Sequence, residues 1–196
     1  MGKSANHPLL APLAVLTAYQ DLLTRLQEGD FTGGNLRGLG LPRAVRLALL
    51  AALHYDLEKP ILLLTNRADR ALSLFDELGF WLPEGTNLYY AEPNPSFYED
   101  LPWSEGARHD RLRVLTEFSS YWLPGGFTPQ VHSVVIAPIR AAMTRTIPRR
   151  DFLKNSLRIR LAEQRDLVET SASLVRLGYE YSNIVVRPGQ FSRRGG

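Results

Sequence analysis

A glycine-containing stretch ahead of an apolar helix lies where a phosphate-binding loop would be expected. A working P-loop reads G-x-x-x-x-G-K-[ST]: backbone amides hold the phosphates, the lysine neutralises them and the hydroxyl binds magnesium. This stretch reads Gly38-Leu39-Gly40-Leu41-Pro42-Arg43-Ala44 and has no Lys-Ser/Thr pair. Pro42 also removes an amide donor, and Ala44 has no hydroxyl for the metal. The sequence therefore predicts that this loop binds no nucleotide and that the chain uses no cofactor.

The remaining side chains that could support catalysis or metal binding lack the necessary spacing. Asp76-Glu77 resembles the paired acids of an ATPase metal-binding strand, but its segment has helical periodicity, which favours a solvated helix face. The histidines form no H-E-x-x-H motif and no i, i+4 pair; they are His7, His54, His109 and His132. No serine lies in a G-x-S-x-G elbow, and there is no cysteine. We expect no catalytic residue, no metal site and no disulfide.

The stretch from Gly178 to Gly196 has the residue types of a binding surface. It predicts a helix stop, a strand at Asn183–Arg187, a turn at Pro188-Gly189 and a returning strand from Gln190, which together make a β-hairpin. Arginine and aromatic side chains on a rigid hairpin are typical interface anchors. An ordinary basic hairpin without a partner is the alternative. The candidate partner-binding residues are Tyr181, Arg187, Phe191, Arg193 and Arg194.

A second candidate surface is the proline-rich loop from Ala91 to Trp103. Its aromatic residues Phe97, Tyr98 and Trp103 could stack on nucleic-acid bases. The alternative is a loop folded over the sheet with these side chains packed inward. Because no basic residue alternates with the aromatic ones, the inward-packed arrangement is favoured.

The charge is small overall but unevenly distributed. The net charge is +3, yet residues 148–196 hold 10 Lys/Arg against 5 Asp/Glu, a net charge of +5. Such a segment favours an acidic protein surface or nucleic acid as partner, although a solvated basic face has the same composition. No apolar run approaches the roughly 20 residues that span a bilayer, and no signal peptide is evident. We expect a cytoplasmic protein without membrane contact.

The elements that would position these residues alternate between helix and strand, which indicates an α/β fold with a parallel sheet. The character of the sequence changes after Pro148, so we predict a boundary near residue 147. A second helix-and-hairpin domain would follow, with Asp166 as the N-cap of its helix. The predicted helices lie near residues 9–26, 44–53, 68–78, 112–122 and 167–177, and the predicted strands near 61–65, 87–90 and 131–137.

Residues 178–196 closely match a G-Y-x-x-x-x-x-V-x-x-x-G-x-F-x-x-R-G-like stretch, and here the chain resembles two families of bacterial DNA-repair proteins. One is the excision-nuclease helicase subunit UvrB, and the other comprises the transcription-repair coupling factors (the Mfd family). The loop from Ala91 to Trp103, followed by Glu105 and Arg111-Leu112, is similar to the coupling factors' E-x-x-P-[YW]…E-x-x-x-x-R-L stretch. The helicase subunit has a working P-loop, whereas the coupling factors have a degenerate one, as this chain does. The resemblance covers nearly the whole chain except about the first thirty residues.

The resemblance to the coupling factors implies a fold, a partner and a division of labour. Residues 1–147 would form a RecA-like, degenerate P-loop NTPase domain (1a), and residues 148–196 a small α+β domain (2) that binds UvrA. Arg194 matches the family arginine before the glycine, while Ser192 replaces an arginine of the helicase subunit and Arg193 is the candidate substitute. The family also has an arginine shortly after the Gly-Tyr pair, where this chain has Glu180 and Tyr181.

In the coupling factors, an ATP-dependent DNA-translocating motor and the RNA-polymerase-binding domain lie further along the chain. The resemblance therefore implies a non-enzymatic, monomeric piece of a longer protein whose other partners are RNA polymerase and double-stranded DNA. An end inside a hairpin strand, which would leave backbone groups unpaired, agrees with such a piece. A nucleic-acid-binding module and an ATP-binding domain of the helicase-subunit type remain the alternatives.

Overall fold

A computed structural model describes residues 2–29, 40–93, 103–121 and 132–193, and the structural statements below refer to these ranges. The chain divides into two compact units, Met1–Thr144 and Arg145–Gly196. The boundary expected from the sequence, near residue 147, falls just after this division. The identification of the units with domains 1a and 2 of a coupling factor stays a prediction.

The first unit contains a parallel sheet of three strands, so the predicted α/β class is confirmed. The strands are β1 (Ile61–Thr65), β2 (Asn87–Tyr89) and β3 (Val134–Pro138), in the order β1-β3-β2. Val134 is the register partner of both Ile61 and Asn87. Strand β3 is buried along its whole length, as expected for a continuous apolar run in the centre of a parallel sheet.

Strand β1 is only partly buried, although its short apolar run is typical of a buried strand in a parallel sheet. Ile61, Leu63 and Thr65 are half-buried, whereas Leu62 and Leu64 are 55% and 46% exposed. The reason is its position: within the described residues, β1 pairs only with β3 and so forms an edge of the sheet. Because successive side chains of a strand point to opposite faces, only one row of β1 reaches the core.

Helices cover both faces of this sheet. A 3-10 helix (Lys3–Asn6) precedes helices α1 (Ala11–Ala14), α2 (Thr17–Glu28), α3 (Arg43–Leu57), α4 (Ala68–Gly79), α5 (Glu105–Ser120) and α6 (Ile139–Met143). One core cluster joins Leu47 and Ala51 of α3 and Leu78 of α4 to Ile136 of β3. A second cluster joins Val114 of α5 to Val135 on the other face of β3. No helix in the described ranges has the length and apolarity needed to cross a membrane.

The single helix predicted over residues 9–26 is wrong, because the chain breaks between α1 and α2. Leu16 has an extended backbone conformation, with φ −72° and ψ 129°. The break lets Leu10 of the first segment and Tyr19 and Leu22 of the second all reach the core. The Gln20 side chain donates a hydrogen bond to the carbonyl of Ala14, 2.5 Å away, and so satisfies a group that the break frees.

The second unit contains helices α7 (Arg149–Lys154) and α8 (Leu167–Arg176) and two short strands, β4 (Glu180–Tyr181) and β5 (Gln190–Phe191). Helix α8 and its N-cap are confirmed: the Asp166 carboxylate accepts a hydrogen bond from the backbone N–H of Glu169 at 2.8 Å. No residue of α7 or α8 is buried. This unit is therefore held together mainly by hydrogen bonds and half-buried contacts.

The predicted β-hairpin is wrong. Residues 183–187 are not a strand, and β4 and β5 run parallel, with Glu180 opposite Gln190 and Tyr181 opposite Phe191. Residues 182–189 form the loop between these strands, which is shorter than the dozen or so residues that usually join parallel strands. The side chains of Gln190 and Ser192, just beyond the loop, hold its backbone in place of a ladder of strand hydrogen bonds.

Candidate functional site

The candidate site is the segment from Gly178 to Arg193, called here the docking loop, and it begins at the end of α8. Gly178 has a left-handed backbone with φ +89°, a conformation that favours glycine. Its N–H donates to the carbonyl of Val175 at 2.9 Å, and the N–H of Tyr179 donates to Leu174 at 3.0 Å. This is the hydrogen-bond pattern of a Schellman motif, which ends the helix and fixes the direction of the chain that leaves it.

Strands β4 and β5 close the base of the docking loop. The N–H of Glu180 donates to the carbonyl of Gly189 at 2.9 Å, and the N–H of Ser182 donates to Phe191 at the same distance. The chain turns at Pro188-Gly189, where Gly189 has φ +87°. Proline followed by a residue with positive φ is typical of a type II turn, so the predicted turn is present although the hairpin is not.

Two polar side chains brace the loop from inside. The side-chain oxygen of Gln190 accepts hydrogen bonds from the N–H groups of Val186, at 3.0 Å, and Arg187, at 3.3 Å. The Ser192 hydroxyl donates to the carbonyl of Asn183 at 3.1 Å. These bonds satisfy loop backbone groups that a hairpin ladder would otherwise have used.

Arg187 and Glu180 form an ion pair across the base of the loop, with 3.2 Å between Nη2 and Oε2. Both side chains are more than half exposed. Such surface pairs contribute about 0–1 kcal/mol, so a partner carboxylate could replace Glu180 at little cost. Glu180 lies near the position where the family has an arginine, and here it pairs with Arg187, one of the candidate binding residues.

The aromatic candidates lie next to each other. The rings of Tyr181 and Phe191 are 5.7 Å apart between centroids and meet edge to face at 74°. Tyr181 is 59% exposed, whereas Phe191 is half-buried. Tyr181 is therefore available to a partner, and Phe191 supports it from below.

The remaining arginines lie beyond β5. Arg193 is exposed, and Arg194 lies outside the described residues. Because β5 ends at Phe191, the strand alternation expected for residues 191–194 is not observed at Ser192 and Arg193. The structure thus brings together Tyr181, Arg187 and Phe191, with Arg193 two residues after the aromatic pair.

Sequence reasoning missed an apolar patch on the same loop. Ile184, Val185 and Val186 are 66%, 52% and 77% exposed. The sequence predicts a strand here, because β-branched residues favour strands. No local signal distinguishes this run from a strand, because the hydrogen bonds that hold it as a loop come from Gln190 and Ser192.

The nucleotide-loop candidate is described only from Gly40 onward. Gly40 has φ +59°, and α3 begins at Arg43 directly after Pro42, which is its N-cap and has no N–H. The Nε of Arg46 donates to the carbonyl of Leu41 at 3.1 Å. Ala44 is exposed and offers no polar side-chain atom at this helix end. A phosphate here would find fewer amide donors than in a working P-loop.

The acidic pair Asp76-Glu77 and His54 lie in surroundings that give no sign of catalysis or metal binding in the described residues. Asp76 and Glu77 lie on helix α4, as predicted, and Glu77 is 3.7 Å from Arg70. Among the described residues, no three His, Cys, Asp or Glu side chains are grouped so that they could hold a metal ion. Burial, followed by repulsion from His132, lowers the pKa of His54 below its usual value.

Arg111, one of the motif residues, is a buried cation on α5. Its guanidinium donates to the carbonyls of Ala91, at 2.8 Å, and Ala141, at 3.4 Å, and to the Tyr90 hydroxyl at 2.5 Å. It lies 4.0 Å from the centroid of the Tyr90 ring and 4.6 Å from that of Trp103. Burial lowers the pKa of this guanidinium. Trp103 thus packs on Arg111, while Phe97 and Tyr98 lie outside the described residues.

Comparison with known proteins gives one informative match. No protein-family model matches the chain. The chain is 31% identical over 158 residues, 80% of its length, to a protein of Bacillus subtilis (strain 168) described as "Transcription-repair-coupling factor". The match spans 13% of that relative. The chain is therefore related to a transcription-repair-coupling factor over four fifths of its own length.

Proposed function

We propose that this chain is a non-catalytic docking module of transcription-coupled nucleotide-excision repair and that its docking loop binds UvrA. The observation that carries the proposal is a braced loop that presents arginine and aromatic side chains to solvent. Relation to a transcription-repair-coupling factor supports the repair context. The resemblance of residues 178–196 to the module shared with UvrB supports UvrA as the partner.

The chemistry of the docking loop suits an acidic protein surface. Arg187 and Arg193 are exposed, and arginine pairs with carboxylates through two parallel hydrogen bonds. Tyr181 adds an exposed aromatic ring beside them. The bonds from Gln190 and Ser192 hold the loop before a partner arrives, which lowers the entropy lost on binding. Arg194, which matches the family motif, is the fourth proposed contact, and Phe191 supports the ring of Tyr181.

For the first unit we propose a RecA-like fold that has lost nucleotide binding. The parallel order β1-β3-β2 and the helix that follows the glycine-containing stretch support it. Pro42 at the N-cap of α3 and the absence of a Lys-Ser/Thr pair from the stretch Gly38–Ala44 support the loss. For a longer protein of this family, we propose RNA polymerase and double-stranded DNA as further partners and a DNA-translocating motor further along the chain. We propose the cytoplasm as its compartment.

The test is binding of purified UvrA to the immobilised chain, measured by biolayer interferometry. Arg193→Ala and Arg194→Ala should each weaken binding more than tenfold, since a hot-spot arginine contributes about 2 kcal/mol or more. Arg150→Ala is the matched control, because Arg150 is an exposed arginine of α7 in the same unit. Thermal midpoints of all three variants should equal that of the parent chain.

Two results would contradict the proposal. Unchanged UvrA binding by both loop variants would show that the docking loop is not the contact surface. Tight binding of duplex DNA at physiological salt, lost with the same substitutions, would instead support the nucleic-acid-binding alternative.

A further inference from the structure

The docking loop carries one acidic side chain among its basic ones, and that side chain lies against an arginine. In residues 178–193 the charged residues are Glu180, Arg187 and Arg193. The Glu180 carboxylate is 3.2 Å from the Arg187 guanidinium, and in the described ranges Glu180 forms no other ion pair. A loop in the basic part of the chain therefore presents a negative charge beside a positive one.

Both members of this pair stand on braced backbone. The N–H of Glu180 donates to the carbonyl of Gly189 at 2.9 Å, at the base of the loop. The N–H of Arg187 donates to the Gln190 side chain at 3.3 Å. The two charged side chains are more than half exposed. The negative and the positive charge therefore reach solvent in a fixed order, the first from β4 and the second from the loop that follows it.

A ligand that binds Arg187 must also accommodate Glu180. Because the carboxylate and the guanidinium are in contact, an anion bound to Arg187 lies within about 6 Å of the Glu180 carboxylate. Like charges at that distance weaken binding about threefold in water, and more where the ligand displaces water. The ligand regains this loss only if it also brings a cation or a hydrogen-bond donor to Glu180.

A nucleic-acid backbone and a protein surface differ in this respect. Phosphate groups offer negative charge and hydrogen-bond acceptors, so the backbone of a duplex has no cation to place beside Glu180. A protein surface can carry lysine or arginine next to a carboxylate, and charges in complementary order also fix how two proteins are oriented. Arg187 and Glu180 together therefore match a protein surface of mixed charge better than a polyanion.

We propose that the Glu180 carboxylate determines the specificity of the docking loop: it disfavours a nucleic-acid backbone and favours a protein surface on which a cationic side chain lies beside a carboxylate. The inference rests on the proposed function, because it concerns which partner the docking loop accepts. It adds a requirement that the arginines alone do not set. A uniformly acidic surface would satisfy Arg187 and Arg193 but would leave Glu180 facing like charge.

Binding of a labelled DNA duplex to the full chain, measured by fluorescence anisotropy at about 0.1 M salt, tests the exclusion of nucleic acid. Glu180→Gln removes the charge but keeps the length of the side chain and an oxygen that can accept a hydrogen bond from Arg187. This variant should bind the duplex about fivefold more tightly, because the repulsion of phosphate beside Arg187 is lost.

Glu169→Gln is the matched control. Glu169 is an exposed acid of α8 in the same unit, lies outside the docking loop and forms no ion pair in the part of the chain that the structure describes. The substitution changes the net charge of the chain by the same amount and should alter duplex binding less than about twofold. A difference between the two variants therefore reports the position of the charge and not the total charge.

Binding of purified UvrA tests the preference for a surface of mixed charge. Glu180→Gln should weaken it about fivefold, because the partner's cation loses its counter-charge. The double variant Glu180→Arg with Arg187→Glu keeps the net charge and both members of the ion pair but reverses their order, and it should weaken binding more than tenfold. Unchanged amide signals of residues 167–177 in a nitrogen-15 spectrum show that the unit remains folded.

Two results would overturn the proposal. One is a gain in duplex binding that Glu180→Gln and Glu169→Gln share, or that neither shows. The other is UvrA binding that stays at the parent level in Glu180→Gln and in the double variant while Arg193→Ala lowers it, because the loop would then bind regardless of the charge order. Should the double variant unfold, Glu180→Gln alone decides the UvrA comparison. A parent chain that does not bind UvrA contradicts the proposed function instead, and the duplex comparison then decides the role of Glu180.

Discussion

Replacement of Arg111 by methionine removes a buried cation while keeping most of its side-chain volume. The change leaves the carbonyl of Ala91 without this donor, and an unsatisfied buried acceptor costs about 1–3 kcal/mol, whereas the carbonyl of Ala141 still accepts from the N–H of Thr144 at 3.3 Å. It also removes the cation–π contact with Tyr90 and Trp103, worth about 1 kcal/mol. With about 2 kcal/mol for the Ala91 carbonyl and about 1 kcal/mol for the cation–π contact, we expect a loss of about 3 kcal/mol in the free energy of unfolding.

Urea denaturation followed by tryptophan fluorescence measures this loss. All three tryptophans, Trp81, Trp103 and Trp122, belong to the Met1–Thr144 unit, so the signal reports on that unit. With a urea m-value of about 2 kcal/mol/M, the midpoint should fall by about 1.5 M. Arg108→Met, at an exposed position of the same helix, should leave the midpoint within about 0.3 M.

Arg111→Lys sharpens the test. Lysine keeps the charge but has neither the planar fork that reaches two carbonyls nor the flat face that stacks between Tyr90 and Trp103. We expect it to recover less than half of the lost stability. A lysine variant as stable as the parent, or a methionine variant with an unchanged midpoint, would refute the role given to the guanidinium.

Other predictions concern ligands, pH and the docking loop. Isothermal titration with Mg-ATP should give no heat of binding, and a micromolar dissociation constant would contradict the argument from Pro42 and Ala44. DNA binding should be weak and should vanish above about 0.2 M salt in a gel shift, because a net charge of +3 releases few counterions. The folded state depresses the pKa of His54, so stability from this group is present above its ordinary pKa of about 6.5 and is lost as pH falls below it. In urea titrations at several pH values, His54→Gln should reduce this loss of unfolding free energy at low pH. An unchanged dependence on pH would contradict the role given to His54. Gly178→Ala should cost about 1 kcal/mol in the unfolding of the second unit, measured by circular dichroism, because φ is +89° there.

The parts of the fold that follow from local signals could be predicted. Helix α8 follows its N-cap Asp166 and ends before Gly178, and both ends are set by residues within one turn. Strand β3 is a continuous apolar run, which is typical of a central parallel strand. Local chemistry decides these elements, so their positions could be inferred without knowing what packs against them.

The docking loop could not be predicted because its structure depends on bonds across the segment. Asn183–Arg187 has strand-forming residues, but Gln190 and Ser192 bind the loop backbone from further along the chain and hold it away from a ladder. The candidate residues Tyr181, Arg187 and Phe191 still lie together, because both the hairpin and the observed loop bring positions 180–181 near positions 190–191. The exposed row Ile184–Val186 was missed, since only a loop puts it in solvent.

The burial of Arg111 was also beyond the sequence. Arg111 is part of a sequence motif, yet no residue type or spacing near it indicates that its donors reach the carbonyls of Ala91 and Ala141 instead of an acid. Carbonyl partners come from the ends of separate elements, and such contacts appear only when the sheet and α5 are in place. Long-range hydrogen bonds of this kind leave no spacing pattern in a sequence.

The carboxylate of Asp56, near the end of α3, binds Ser4 and Tyr19 and so fixes the first residues of the chain to the folded unit. It accepts hydrogen bonds from the N–H of Ser4 at 2.8 Å, the Ser4 hydroxyl at 2.5 Å and the Tyr19 hydroxyl at 2.6 Å. A side chain at Gly2 would meet this carboxylate within 2.3–2.6 Å. Trimming the chain up to Ser4, or fusing a tag with a bulky residue in place of Gly2, would expose the half-buried Asp56 carboxylate and weaken the packing of α2 on α3. Expression designs for this protein should therefore keep residues 2–6 intact and place any tag at the opposite end of the chain or behind a flexible linker.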